Sequence, residues 1–291
     1  MSLFDYLKVI NGEYNMWILG IVAGLLIILT IIYLLAIMPR VFKRPDVTPL
    51  YGSYYAHRGL HDNESEAPEN SMAAFKKAVD AGYGIELDVQ LTKDRIPVVF
   101  HDETLKRVCG VDGKVRDFTY DELKKFTLLN SNEHIPLFKD FLELVDGKVP
   151  LIIEIKIHEK ASAVCSAADK LIKEYKGVYC VESFDPRALI WYKKNRPEVI
   201  RGQLSSNFNK PGKPEPVTNF IVHYMLANFL AKPDFIAYDH FHKKNISRRL
   251  CCNLFGALSV AWTIKSQAQL DNARDSFKLF IFEGFIPKEE P

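Results

Sequence analysis

Cysteine is scarce: Cys109, Cys165, Cys180, Cys251 and Cys252 are all there is among 291 residues. They are too few and too scattered for a disulfide scaffold, and no Cys-x-x-Cys pair is present on which to build a structural zinc site. An odd count leaves at least one free thiol, which favours a reducing compartment. An excess of one charge is also lacking. Thirty-eight basic residues nearly balance 36 acidic ones, for a net charge of +2, which argues against a nucleic-acid binder held by a broad basic surface. Charged residues still make up 25% and hydrophobic ones 48% of the chain, so intrinsic disorder is excluded. No internal repeat and no low-complexity tract is evident.

Charge is missing altogether from Tyr14 to Pro39. Within that stretch Met16–Met38 reads MWILGIVAGLLIILTIIYLLAIM, 23 residues. At about 1.5 Å per residue this makes about 35 Å of helix, enough to span a hydrocarbon core of about 30 Å. Trp17 and Tyr33 lie near the two ends, at interfacial depth. A cleavable signal peptide would be shorter and end in a small-x-small site, whereas this run ends in Ile37-Met38-Pro39-Arg40. It is expected to be an uncleaved anchor with the lipid bilayer as its partner. Arg40, Lys43 and Arg44 on one side, against Lys8 and the terminal amine on the other, place the rest of the chain in the cytoplasm. Residues 1–44 thus read as the anchor, with a transmembrane helix over about 16–38. Residues 45–52, PDVTPLYG, read as a linker, and 53–291 as one domain.

About 240 residues follow the linker, close to the roughly 250 of a (β/α)8 barrel. Candidate strands are 54–57, 85–91, 98–101, 151–155, 178–183, 199–204, 235–239, 258–263 and 278–282. Between them helical patterns recur, such as 71–81 with Met72, Phe75, Ala78 and Val79 at helical spacing, and the apolar 220–230. The latter suits either a bilayer-facing lid or a buried barrel helix. Strand alternating with helix predicts a parallel sheet covered by helices, and hence a TIM barrel preceded by one transmembrane helix. Nine strands are one more than a closed barrel needs, so one is accessory or not a strand. An open doubly wound sheet is the alternative, but no Gly-rich phosphate loop follows the first strand.

Polar residues gather at the ends of these strands: His57-Arg58-Gly59, Glu86 and Asp88, His101-Asp102, Glu154 and Lys156, and Trp262-Thr263. In a barrel that face builds the active site. Glu86 and Asp88, two apart on a strand, point to the same side, as do Glu154 and Lys156. Inward carboxylates are costly to bury without positive compensation. A hard divalent cation, Mg or Ca, is the simplest answer for oxygen ligands.

His57-Arg58, then Glu86-x-Asp88, then His101-Asp102 resembles the signature of the glycerophosphodiester phosphodiesterases. Pro68-Glu69-Asn70-Ser71, Thr92-Lys93-Asp94, Ile135-Pro136-Leu137, Glu154-Ile155-Lys156, Ser183-Phe184 and Trp262-Thr263 extend the resemblance over most of the soluble part. It implies a divalent-cation enzyme in which Glu86, Asp88 and Glu154 bind the metal. His57 and His101 act as general acid and base, Arg58 and Lys156 contact the phosphate, and Trp262 walls the substrate pocket. Glu69 is a possible further ligand or brace, Asn70 fixes the loop, and Asp102 orients or caps. The resemblance further implies attack by the substrate's own glycerol hydroxyl, followed by water opening a cyclic phosphate. The substrate is expected to be a glycerophosphodiester, or a membrane lysophospholipid cleaved as by a lysophospholipase D; an inactive membrane scaffold is a third reading. One departure stands out. The family closes its last strand with Thr-Asp before a proline, where this chain has Phe282-Glu283-Gly284, leaving the last loop's substrate contacts in question. Head group, choice of metal and oligomeric state are open at this level.

Overall fold

The computed structural model describes residues 3–158, 160–208 and 216–288. All nine expected strands form: β1 (Tyr55–His57), β2 (Gly84–Leu91), β3 (Pro97–Val99), β4 (Leu151–Ile155), β5 (Tyr179–Ser183), β6 (Arg201–Ser205), β7 (Phe235–Asp239), β8 (Leu258–Ile264) and β9 (Leu279–Phe282). Eight of them pair in parallel in the order β1-β9-β8-β7-β6-β5-β4-β2, and β1 closes on β2 through Tyr55–Gly84 and His57–Glu86. The fold is a TIM barrel, and the ninth strand is the accessory one. β3 lies antiparallel on β2, with Val89 facing Val99 and Leu91 facing Pro97. β2 is long enough to rise past the barrel rim, and the chain folds back on it as a hairpin.

Alternation along each strand sorts the side chains. Ile85, Leu87 and Val89 point outward and pack with the covering helices, among them Phe75 and Phe141, whose rings meet at 4.5 Å. Ser71 starts the first covering helix, Met72–Asp80, by accepting from the Ala74 amide. The opposite set points inward. Its lower part is apolar and includes Tyr55, Ile152, Cys180, Phe235, Leu258 and Leu279. Gly202 belongs to this set, and a Cβ there would stand 1.9 Å from the Phe235 ring, so no larger residue fits. Leu50, fully buried, plugs the bottom, its carbonyl accepting from the Tyr55 hydroxyl at 2.7 Å. Residues 45–52 therefore lie against the barrel floor.

The N-terminal helix α1 runs without a break from Leu3 to Ile37, and Met16–Ile37 is long and apolar enough to cross a membrane. Its end is docked on the barrel. The Tyr33 hydroxyl meets Ser247 Oγ at 2.7 Å, and the Ile37 carbonyl accepts from Asn228 and from the Cys251 thiol. Beyond α1, the Arg40 amide donates to the Pro233 carbonyl, and Arg44 donates to the Phe255 and Gly256 carbonyls.

The helix expected over 220–230 is two short pieces, Val217–His223 and Asn228–Ala231. Met225 takes a left-handed φ of 56° between them, which no α-helix continues through. The uninterrupted lid-like helix is therefore absent.

Candidate active site

The inward positions at the upper ends of the strands are polar. β1 ends in His57, β2 carries Glu86 and Asp88, β4 carries Glu154, β5 carries Glu182 and Glu283 follows β9. Register explains the convergence: Asp88 pairs with Glu154, and Glu154 with Glu182. Oxygens of Glu86, Asp88 and Glu154 lie within 4.8 Å of one another, and all three residues are buried. Lys156 reaches between them, 2.9 Å from Asp88 and 2.8 Å from Glu154. Arg58 sits at a left-handed φ of 55°. That turn points its amide at Glu86 Oε2, 3.2 Å away, and brings its Nε within 3.5 Å of Asp88. Asn70 donates to Asp88 at 2.9 Å.

Burial and charge pull these carboxyls apart. Burial, reinforced by repulsion from Asp88, Glu182 and Glu154, pushes the Glu86 carboxyl well above its ordinary range. Glu182 is pushed up by burial and by Glu154. Burial also acts on Asp88, but Lys156, His101 and Arg58 outweigh it and hold that carboxyl well below its ordinary range. Glu182 Oε2 is buried with no hydrogen-bond partner.

The two histidines are built alike. His57 Nδ1 is paired with Glu283, and its Nε2 stands 3.8 Å from Glu86. His101 Nδ1 is 2.6 Å from Asp102. Burial lowers the His57 imidazole to about 4 despite Glu283, so it is neutral at neutral pH. His101 does not sit on a barrel strand as expected. It follows β3, and the hairpin lowers it to the rim, where the Gln90 amide holds the carbonyls of Phe100, His101 and Asp102 at 2.8–3.1 Å.

Every expected residue is at the site. Glu69, expected as a ligand or a brace, receives Arg58 at 2.6 Å and a two-pronged contact from Arg107 at 2.7 Å, and it stands outside the carboxylate cluster. Arg107 also holds Asp102 at 2.7 and 2.8 Å, joining the two sides of the site. Arg107, Glu182 and Glu283 were not singled out from the sequence as site residues. Alternation from Leu279 through Ile281 predicts an inward Glu283, and alternation from Cys180 predicts an inward Glu182. Nothing local marks Arg107. Glu283 answers the question raised by the atypical last segment: it lines the cavity and also meets Lys265 at 2.5 Å. The cavity measures about 500 Å³. Trp262 forms one wall, edge to face with Phe184 at 5.5 Å.

The sequence profile of the Glycerophosphoryl diester phosphodiesterase family matches residues 57–269. A glycerophosphodiester phosphodiesterase from Caldanaerobacter subterraneus subsp. tengcongensis is 38% identical over 161 residues, 51% of this chain and 65% of that protein. One from Bacillus altitudinis is 44% identical over 110 residues, covering 35% of this chain and 44% of that protein. The chain thus spans about half to two thirds of the length of these relatives. Glycerophosphodiester phosphodiesterase 1 of Bos taurus is 27% identical over 251 residues, 74% of this chain and 72% of that protein. Among solved structures, an Oleispira antarctica phosphodiesterase in complex with the product sn-glycerol-3-phosphate has the same fold. Its TM-score is 0.65 at 23% identity, over 80% of this chain and 93% of that one. The Thermotoga maritima glycerophosphodiester phosphodiesterase aligns with a TM-score of 0.59 at 27% identity, over 79% of this chain and 94% of that one.

Proposed function

The chain belongs to the glycerophosphoryl diester phosphodiesterase family, and on that premise we propose that it is a membrane-anchored, metal-dependent phosphodiesterase. It hydrolyses glycerophosphodiesters to glycerol 3-phosphate and an alcohol. The observation that carries this reading is a buried three-carboxylate cluster flanked by two histidines, each with Nδ1 on a carboxylate. The product named in the Oleispira antarctica structure supports the same substrate class.

The cluster fits a divalent cation. Its donors are all oxygen, and ligands about 2.0–2.6 Å from one Mg or Ca stand no more than about 5 Å apart, as these do. The partnerless Glu182 oxygen and the raised Glu86 carboxyl mark negative charge that Lys156 and Arg58 leave uncompensated. Glu86, Asp88 and Glu154 would hold the ion, and bound there it would supply positive charge against the phosphate and its transition state.

The rest is done by the chain's own groups. Arg58, fixed by Glu69, and Lys156, fixed by Asp88 and Glu154, offer cationic donors to the phosphate oxygens. With Nδ1 engaged, His57 and His101 present Nε2 to the substrate. One takes the proton from the attacking hydroxyl, and the other returns one to the departing alkoxide. The nucleophile is first the glycerol hydroxyl and then water, as the family resemblance implies. Trp262 and Phe184 bound the space for the leaving group.

Residues 1–44 serve as the anchor, with 53–291 as the catalytic domain. Five free cysteines support placing the barrel in the cytoplasm. Arg40 and Arg44, counted above as flanking charge, are tied to the barrel floor, so the thiols carry more of that argument. A lysophospholipase D activity on membrane lysolipids is a second reading, favoured by the apolar span Met16–Ile37, whose end is docked on the barrel. The test is hydrolysis of glycerophosphocholine and lysophosphatidylcholine by the full chain, with Mg, Ca or EDTA. Cleavage of either that EDTA abolishes and added metal restores is expected. Cleavage indifferent to EDTA refutes the metal assignment, and no cleavage of either refutes the function.

A further inference from the structure

α1 has a direction relative to the barrel. The segment that covers β7 and β8 descends from Ile246 at the rim, through Leu254, to Gly256 beneath β8. Tyr33 meets Ser247, Ile37 meets Cys251, and Arg44 meets Gly256. Both segments advance four residues between the first two contacts, so α1 runs parallel to its neighbour, from rim to floor. The helix from Leu3 to Tyr33 therefore projects beyond the rim, on the side where the cavity opens. Burial agrees: side chains are mostly exposed from Met16 to Ile32, and Ile37 is fully buried.

The apolar span Met16–Ile37 is 22 residues, about 33 Å of helix, and its part clear of the barrel is only about 25 Å. A hydrocarbon core of about 30 Å thus reaches down to the rim beside Ile246. There four large apolar side chains stand exposed, with the exposed cations Lys244 and Arg249 beside them. Ile246 is 66% exposed, Phe241 71%, Val217 74% and Phe220 46%. Phe241 is pinned at the top of β7 by its amide on Asp239. Val217 and Phe220 begin the helix whose Val222 carbonyl accepts from Ser205 at the top of β6.

We propose that the barrel mouth faces the bilayer that α1 crosses. Val217, Phe220, Phe241 and Ile246 rest in its headgroup–acyl boundary, so that the site receives single-chain phosphodiester lipids from that membrane. The proposal rests on reading α1 as a membrane span and deepens the substrate assignment. Large exposed apolar side chains at the rim from which a spanning helix departs are stable in water only at a cost, and in the interfacial layer at a gain.

The test uses the full chain in phosphatidylcholine nanodiscs. Phe241→Cys, Ile246→Cys and, on the opposite face, Leu254→Cys are labelled with an environment-sensitive fluorophore and quenched with lipid-borne nitroxides. Quenching several-fold stronger at 241 and 246 than at 254 is expected. Equal quenching, or stronger quenching at 254, overturns the proposal whether or not the enzyme is active. In a second arm, Phe241→Asp with Ile246→Asp should slow cleavage of lysophosphatidylcholine in vesicles by about tenfold or more. Glycerophosphocholine cleavage should stay within about twofold. Parallel loss on both substrates, or on neither, overturns delivery from the membrane. A wild-type chain that cleaves neither refutes the activity, while the quenching still decides the orientation.

Discussion

Glu69→Gln tests whether Arg58 is held in place by charge. Glu69 is 4% exposed and lies between Arg58 and Arg107. Burial alone would raise its carboxyl, but Arg107 and Arg58 outweigh burial and hold it at about 2, against an ordinary 4.5. At about 1.4 kcal/mol for each pH unit between those values, the ionised carboxylate contributes about 3 kcal/mol of stability. Because the folded value is the lower one, that contribution is complete above pH 4.5 and is lost as pH falls toward 2. Glutamine keeps the shape and can still accept a hydrogen bond, but it does not ionise. Urea unfolding at a series of pH values should therefore show the variant less stable by about 3 kcal/mol at pH 7 and by about 1.5 kcal/mol at pH 3. A gap that stays constant from pH 7 to pH 3 would show that packing, and not charge, makes Glu69 a brace.

Asp88→Asn should leave the metal-free protein folded, because the lost pairing with Lys156 is offset by relieved repulsion among the carboxylates. It should erase the metal-induced stabilisation, about 2.7 kcal/mol for a binder at 100 times its Kd and read as a rise in Tm, and with it the activity; an undiminished rise removes Asp88 from the metal site. His57→Ala and His101→Ala should each cut turnover by about 100-fold or more while calorimetric metal affinity is unchanged, and near-normal turnover removes that histidine from the mechanism. Leu50→Ala opens a hole in the barrel floor and should cost about 2–5 kcal/mol, read by thermal unfolding, with kcat on glycerophosphocholine preserved. An unchanged Tm would mean that the floor closes without residues 45–52.

Much of the site is legible in the sequence because its logic is local. Glu86 and Asp88, or Glu154 and Lys156, share a face by strand alternation alone, and strand ends face one rim in any parallel barrel. The apolar run of α1 is equally local, since length and hydropathy need no neighbours. Other features depend on contacts distant in sequence. β3 reads like a barrel strand, and only pairing with β2 places it outside and swings His101 inward. Glu182 and Glu283 are single acids in apolar strands, and they become site residues through lateral register with Glu154 and a meeting with His57 across 226 positions. Arg107 lies on a short helix off the barrel, and the two acids it clamps give no signal at its own position. The direction of α1 rests on contacts such as Tyr33 with Ser247, 214 residues apart. A hydropathy pattern is the same read along either sense of a docked helix, so composition determined that α1 is long and apolar enough to span a membrane, and packing alone decided on which side of the barrel it leaves.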